Sequence, residues 1–126
     1  METQKKWMTV VGWILTLLPL AAFLPSAAFK FMDGPEFMKG WNESGYSAST
    51  LLPIALAETV CIILYVIPKT SVFGAILTVG YLGGAVATHV RANQAIFIVP
   101  ALLGVMIWGG LFLREPRVRA LIPFKS

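Results

Sequence analysis

The stretch Leu51–Ile67 reads LLPIALAETVCIILYVI and carries a single charge, Glu58, near its centre. As a helix, seventeen residues extend roughly 25 Å, close to the thickness of a bilayer's hydrocarbon core. An ionised carboxylate at that depth costs at least about 2–3 kcal/mol even on lenient insertion scales. A chain that keeps one there gives it a partner, keeps it protonated, or uses it.

Working outward, three further apolar runs accompany this one. The first spans about 7–29, the third 72–90 and the fourth 95–113, each of a length that suits a helical crossing. The connections around 68–71 and 91–94 are tight, so the second to fourth spans must be antiparallel neighbours. The 30–50 connection is long and mixed, with Asp33, Glu36, Lys39 and Glu43. The expected fold is all-α, a four-helix transmembrane bundle forming a single domain over 1–126. A cleaved signal peptide is the other reading of the first span, since Lys5-Lys6 precede it and small residues Ser26-Ala27-Ala28 close it. Its apolar run is longer than the usual signal core of about 7–15 residues.

Composition agrees with a membrane protein. Hydrophobic residues make up 57% of the 126 residues against 13% charged, and mean hydropathy is +0.77. The net charge of +4 does not point to nucleic acid, because the basic residues stand singly at the ends of apolar runs. Lys5, Lys6, Lys69, Arg114, Arg117, Arg119 and Lys125 lie on one side of the expected bundle; Lys30, Lys39 and Arg91 lie on the other. That bias predicts cytoplasmic N- and C-termini and an outer 30–50 loop. Cys61 is the one cysteine, which excludes an intrachain disulfide and a dithiol redox pair. The sequence has no haem ligand pair, iron–sulfur cysteines, zinc spacing, phosphate loop or nucleophile elbow.

The polar residues inside the spans form the candidate site. Lys30 closes the first span, Glu58 sits halfway through the second, and Tyr81 lies at a similar depth in the third. His89 and Arg91 end the third span on the outer side. Residues 78, 81, 85, 88 and 89 share one helix face, which predicts an outward-opening polar cavity lined by Thr78, Tyr81, Thr88 and His89 and floored by Glu58. Glu58, Cys61 and Tyr65 share a face of the second span. Either Lys30 or Arg91 would serve as counter-ion to Glu58, and helix rotation decides between them. A purely structural reading runs beside this one: basic residues at helix ends snorkel to headgroups, and Glu58 with Tyr81 ties two helices together. In the third span, Gly80 with Gly84 and Gly83 with Ala87 are small-xxx-small pairs expected to let helices approach closely. Trp108-Gly109-Gly110 offers a matching surface on the fourth.

Several segments resemble DoxX-like membrane proteins. They are Ser26-Ala27-Ala28-Phe29-Lys30-Phe31, Ala57-Glu58, Tyr65-Val66-Ile67-Pro68, Gly74-Ala75-Ile76-Leu77 and Gly80 through Arg91 (GYLGGAVATHVR). The tail from Trp108 to Arg114 and Arg119 to Pro123 fits as well, so the resemblance covers most of the chain in order. The resemblance implies a shared site at Lys30, Glu58, His89 and Arg91. It also implies an oxidoreductase-associated role, since relatives include a subunit of a thiosulfate:quinone oxidoreductase, and a bacterial inner-membrane location. The leading expectation is a redox-accessory protein that binds a quinone or another small amphiphile and works with a redox partner subunit, with a homo-oligomer left open. A small proton-coupled transporter using Glu58 and a structural assembly subunit are the alternatives. Whether the chain has enzyme activity of its own stays open.

Overall fold

The computed structural model describes residues 4–125, which form helices and turns with no strand among them. The helices are α1 (Lys6–Met32), α2 (Pro35–Glu43), α3 (Leu51–Val66), α4 (Ser71–Arg91), α5 (Ile98–Arg114) and α6 (Pro116–Arg119). With their flanking turns, α1, α3, α4 and α5 are long and apolar enough to cross a membrane. Their large side chains face outward as well as inward: Leu18, Leu52, Phe73 and Leu102 are all more than half exposed. A helix apolar all round belongs in lipid. The sequence places the fourth helix from residue 95, but 95–97 forms a 3₁₀ turn that leads into α5.

α1 packs on α3 and α5, and α4 packs on the same two, so α1 and α4 stand diagonally across the bundle. Pro19 and Pro25 stand inside α1, where neither can donate the helical backbone bond, but the prolines of α3 and α5 occur where a helix accepts them. Pro53 and Pro100 are the third residues of α3 and α5, in the first turn, where a backbone N–H has no intrahelical partner to lose. The α3–α4 turn is fastened by hydroxyls: Thr70 donates to the Leu64 carbonyl (2.7 Å), and Ser71 donates to those of Tyr65 and Ile67 (2.8 and 2.9 Å). These bonds satisfy the carbonyls that a helix end leaves unpaired.

The two ends of the bundle are built differently. At the terminal end, where Gln4 meets Leu113 and Arg119, backbones touch. A Cβ on Gly74 would stand 2.3 Å from the Tyr65 amide nitrogen, and one on Gly110 would lie 2.9 Å from the Gly12 carbonyl oxygen. Gly110 thus receives α1, in keeping with its reading as a surface for another helix. The expectation for α4 is overturned. Gly80, Gly83 and Gly84 are exposed, and a Cβ on any of them would meet nothing within 4 Å. On α4, close approach is carried by Gly74 instead.

At the opposite, loop end, the long connection is not irregular. It contains α2, which starts at Pro35 with Glu36 in its first turn, and Phe37, Met38 and Trp41 are partly buried. Left-handed Asp33 (φ 43°) ends α1, and Gly45 (φ 95°) follows α2. The segment is tied to α4 at two points. Tyr46 donates to the Thr88 hydroxyl, which donates in turn to the Gly84 carbonyl, and Arg91 donates to the Ser44 carbonyl (2.9 Å).

Candidate functional site

Between these elements lies a cavity of about 800 Å³, reaching from α2 down to Glu58. Its walls come from all four long helices and are mostly apolar, with Phe23, Ile54, Leu82 and Leu103 among them. A small void of about 10 Å³ lies deeper, among Thr16, Tyr65, Thr78 and apolar neighbours. It has room for no more than a single water.

The charged pair in the cavity wall rests on helix periodicity. Ser26 and Lys30 are four residues apart on α1, so both side chains reach the same side. Lys30 Nζ lies 3.1 Å from Glu58 Oε2 and 2.7 Å from Ser26 Oγ, and both charged side chains are buried. Ser26 donates to Glu58 Oε2 (3.1 Å), and Tyr81 on α4 donates to the same oxygen (2.6 Å). Three donors from two helices therefore converge on one carboxylate oxygen. Glu58 Oε1, also buried, has no hydrogen-bond partner among the described residues. Phe23 packs edge-on against Tyr81, with ring centroids 6.2 Å apart, and holds the phenol in place.

Nearer the mouth, His89 Nδ1 lies 2.6 Å from Gln94 Oε1. An amide oxygen accepts, so that nitrogen carries the proton, and a neutral His89 has an acceptor at Nε2. Glu36, Glu43, Phe37, Trp41 and Tyr46 from α2 and the segment after it complete the mouth. Trp41 stacks on Tyr46 at 4.8 Å and donates its indole N–H to the Ser47 carbonyl (3.1 Å).

Of the residues singled out in the sequence, Lys30, Glu58, Tyr81 and His89 line this cavity. Arg91 does not: it stands outside and holds the loop at Ser44, so Lys30 is the counter-ion. Thr78 is a correction. It is buried one turn deeper, where it donates to the Cys61 carbonyl (3.3 Å) and borders only the small void. Ser26 and the α2 residues were not singled out as site residues. Ser26 had a signal, its spacing of four from Lys30. Among the described residues, no three His, Cys, Asp or Glu side chains gather as a metal site would require.

Ser26, Lys30, Glu58, Tyr81, His89 and Arg91 all lie within residues 14–110, which match the model of the DoxX-like family. The chain belongs to the DoxX-like family. No curated protein and no solved structure matches it. With four helices able to span a bilayer, this DoxX-like chain is an integral, multi-pass membrane protein in contact with lipid. Arg114 and Trp13 fall outside the matched residues, although the other partners of Arg114 fall within them. Arg114 donates to Thr16, Ser71 and the Tyr65 carbonyl (3.1–3.2 Å) and lies over the Trp13 ring at 4.4 Å.

Proposed function

We propose that this DoxX-like protein is a redox-accessory component of a bacterial inner membrane, binding a quinone-like or other small amphipathic molecule in the loop-end cavity. One observation carries the reading: an apolar cavity of about 800 Å³ has the buried Lys30–Glu58 pair in its wall. Ligand pockets have this character, apolar walls with a few placed polar groups. Quinone chemistry moves protons together with electrons. A carboxylate hydrogen-bonded to a phenol, with His89 nearer the mouth, suits the proton part. Electrons would come from a partner subunit or a diffusible donor.

The assembly reading keeps one supporting observation, because the Ser26–Lys30–Glu58–Tyr81 cluster ties α1, α3 and α4 together. Transport across the bundle has less support. Below the cavity the hydroxyl hydrogens of Thr16 and Tyr65 are directed at the Gly12 and Ile107 carbonyls, and the void there, of about 10 Å³, holds no chain of waters.

Purification from the native membrane in mild detergent, followed by mass spectrometry of whatever co-purifies, tests the proposal. A quinone or a redox enzyme should accompany the wild type and be lost from a folded Glu58→Gln variant. Ordinary lipids alone, in both preparations, would leave the assembly reading in its place.

A further inference from the structure

The cavity's polar wall is asymmetric in a way that selects its ligand. The donors around Glu58 are all engaged: Lys30 Nζ on Ser26 and Glu58, Ser26 Oγ and the Tyr81 hydroxyl on Glu58 Oε2. The acceptor Glu58 Oε1 remains, on a residue only 1% exposed that borders this cavity and not the deeper void. A buried acceptor without a partner is costly, and a ligand that brings a donor removes that cost. A quinone offers only carbonyl acceptors to this oxygen. A quinol or other phenol offers O–H.

A second observation concerns the route in. Ala22 on α1 and Gly80 and Gly84 on α4 line the cavity and are themselves exposed. Ala22 and Gly80 lie ten and eleven residues in from the loop ends of their helices, about 15 Å at the rise of an α-helix. That is hydrocarbon depth in a bilayer. Nothing stands within 4 Å of a Cβ on Gly80 or Gly84, so the wall there is open for want of side chains.

From these we infer that the cavity takes a tailed amphiphile whose head is a hydroxyl donor. The head donates to Glu58 Oε1, and the tail leaves for the bilayer past Gly80 and Gly84. The inference rests on the reading of the cavity as a quinone-type site and gives it a redox form and an orientation.

The test is anaerobic titration of the purified protein in nanodiscs with three probes: a decyl-tailed quinol, its quinone, and the same quinol head without a tail. Binding is followed by tryptophan fluorescence, since Trp41 sits at the mouth. The wild type should bind the tailed quinol about tenfold or more tightly than the quinone, the gain of a hydrogen bond to a charged acceptor. Gly84→Leu should weaken the tailed quinol about tenfold or more and leave the tail-less head unchanged. Gly83→Leu, on the same helix but off the cavity wall, should change neither. Equal affinity for quinone and quinol overturns the donor assignment. Equal effects of Gly84→Leu on tailed and tail-less heads, or none on either, overturn the side route. A wild type that binds none of the probes overturns the quinone-type reading beneath both.

Discussion

The two ends of this bundle solve the same problem, polar groups inside a membrane protein, in opposite ways. At the terminal end Arg114 reaches two hydroxyls, a carbonyl and an aromatic face, and helix backbones meet at Gly12, Gly74 and Gly110. At the loop end a carboxylate oxygen is left without a partner beside an 800 Å³ cavity, and the glycines of α4 face open space. The same residue type therefore means different things at the two ends. Glycine closes the terminal end by letting backbones touch, and it opens the loop end by leaving a wall bare. Tight packing around an arginine held by several partners reads as scaffold, whereas the roomy end, with its open acceptor, reads as the working part.

The sharpest way to break this contrast is at Gly74. A leucine there has no space, since its Cβ alone would fall within 2.5 Å of three backbone atoms of Leu64 and Tyr65. Backbone cannot give way as a side-chain tip can, so Gly74→Leu should cost well above the usual overpacking range of about 1–3 kcal/mol. Little folded protein should survive detergent size-exclusion chromatography; a normal yield would show that the α3–α4 contact is loose. Next in size is Glu58→Ala, which leaves Lys30 buried without its counter-ion. Breaking such a pair costs about 3–5 kcal/mol, visible as a large fall in thermal midpoint, and adding Lys30→Met should restore most of it. If the double variant melts as low as the single one, the pair is not what Glu58 supplies. The smallest effect is expected at Gly83→Ala, where the new methyl meets nothing. Relief of the helical glycine penalty should stabilise the protein by up to about 1 kcal/mol, and a drop in midpoint would mean that another chain packs on that face.

The four membrane helices were legible because apolar run length is a strong signal and tight turns fix neighbours. α2 was not read, since a nine-residue amphipathic helix with low mean hydropathy hides in a polar loop. Its signals were nonetheless in place: Pro35 at the start, Glu36 after it, Phe37 and Trp41 four apart. Within the site, depth placed Glu58 beside Tyr81 correctly. Periodicity alone could not choose between Lys30 and Arg91, because the choice depends on how α1 and α4 are rotated about their axes. Thr78 shows the limit of a shared helix face: it follows Tyr81's stripe but lies a turn too deep to reach the cavity. Arg114 and Arg119 counted only as topology charges, although Arg119 is buried and donates to Phe112, Leu113 and Gln4.

That last contact bears on the order of assembly. Arg119 and Gln4 are 115 positions apart and 2.7 Å from one another, and α1 lies directly against α5. The α3–α4 hairpin closes on neighbours in the chain and can form early, but the seam between α1 and α5 waits for α5 to be made. Since α5 contributes Pro100 and Leu103 to the cavity wall, the first three membrane helices hold no finished cavity while the ribosome is still adding the fourth. A nascent chain thus has no closed cavity until its fourth membrane helix is in place.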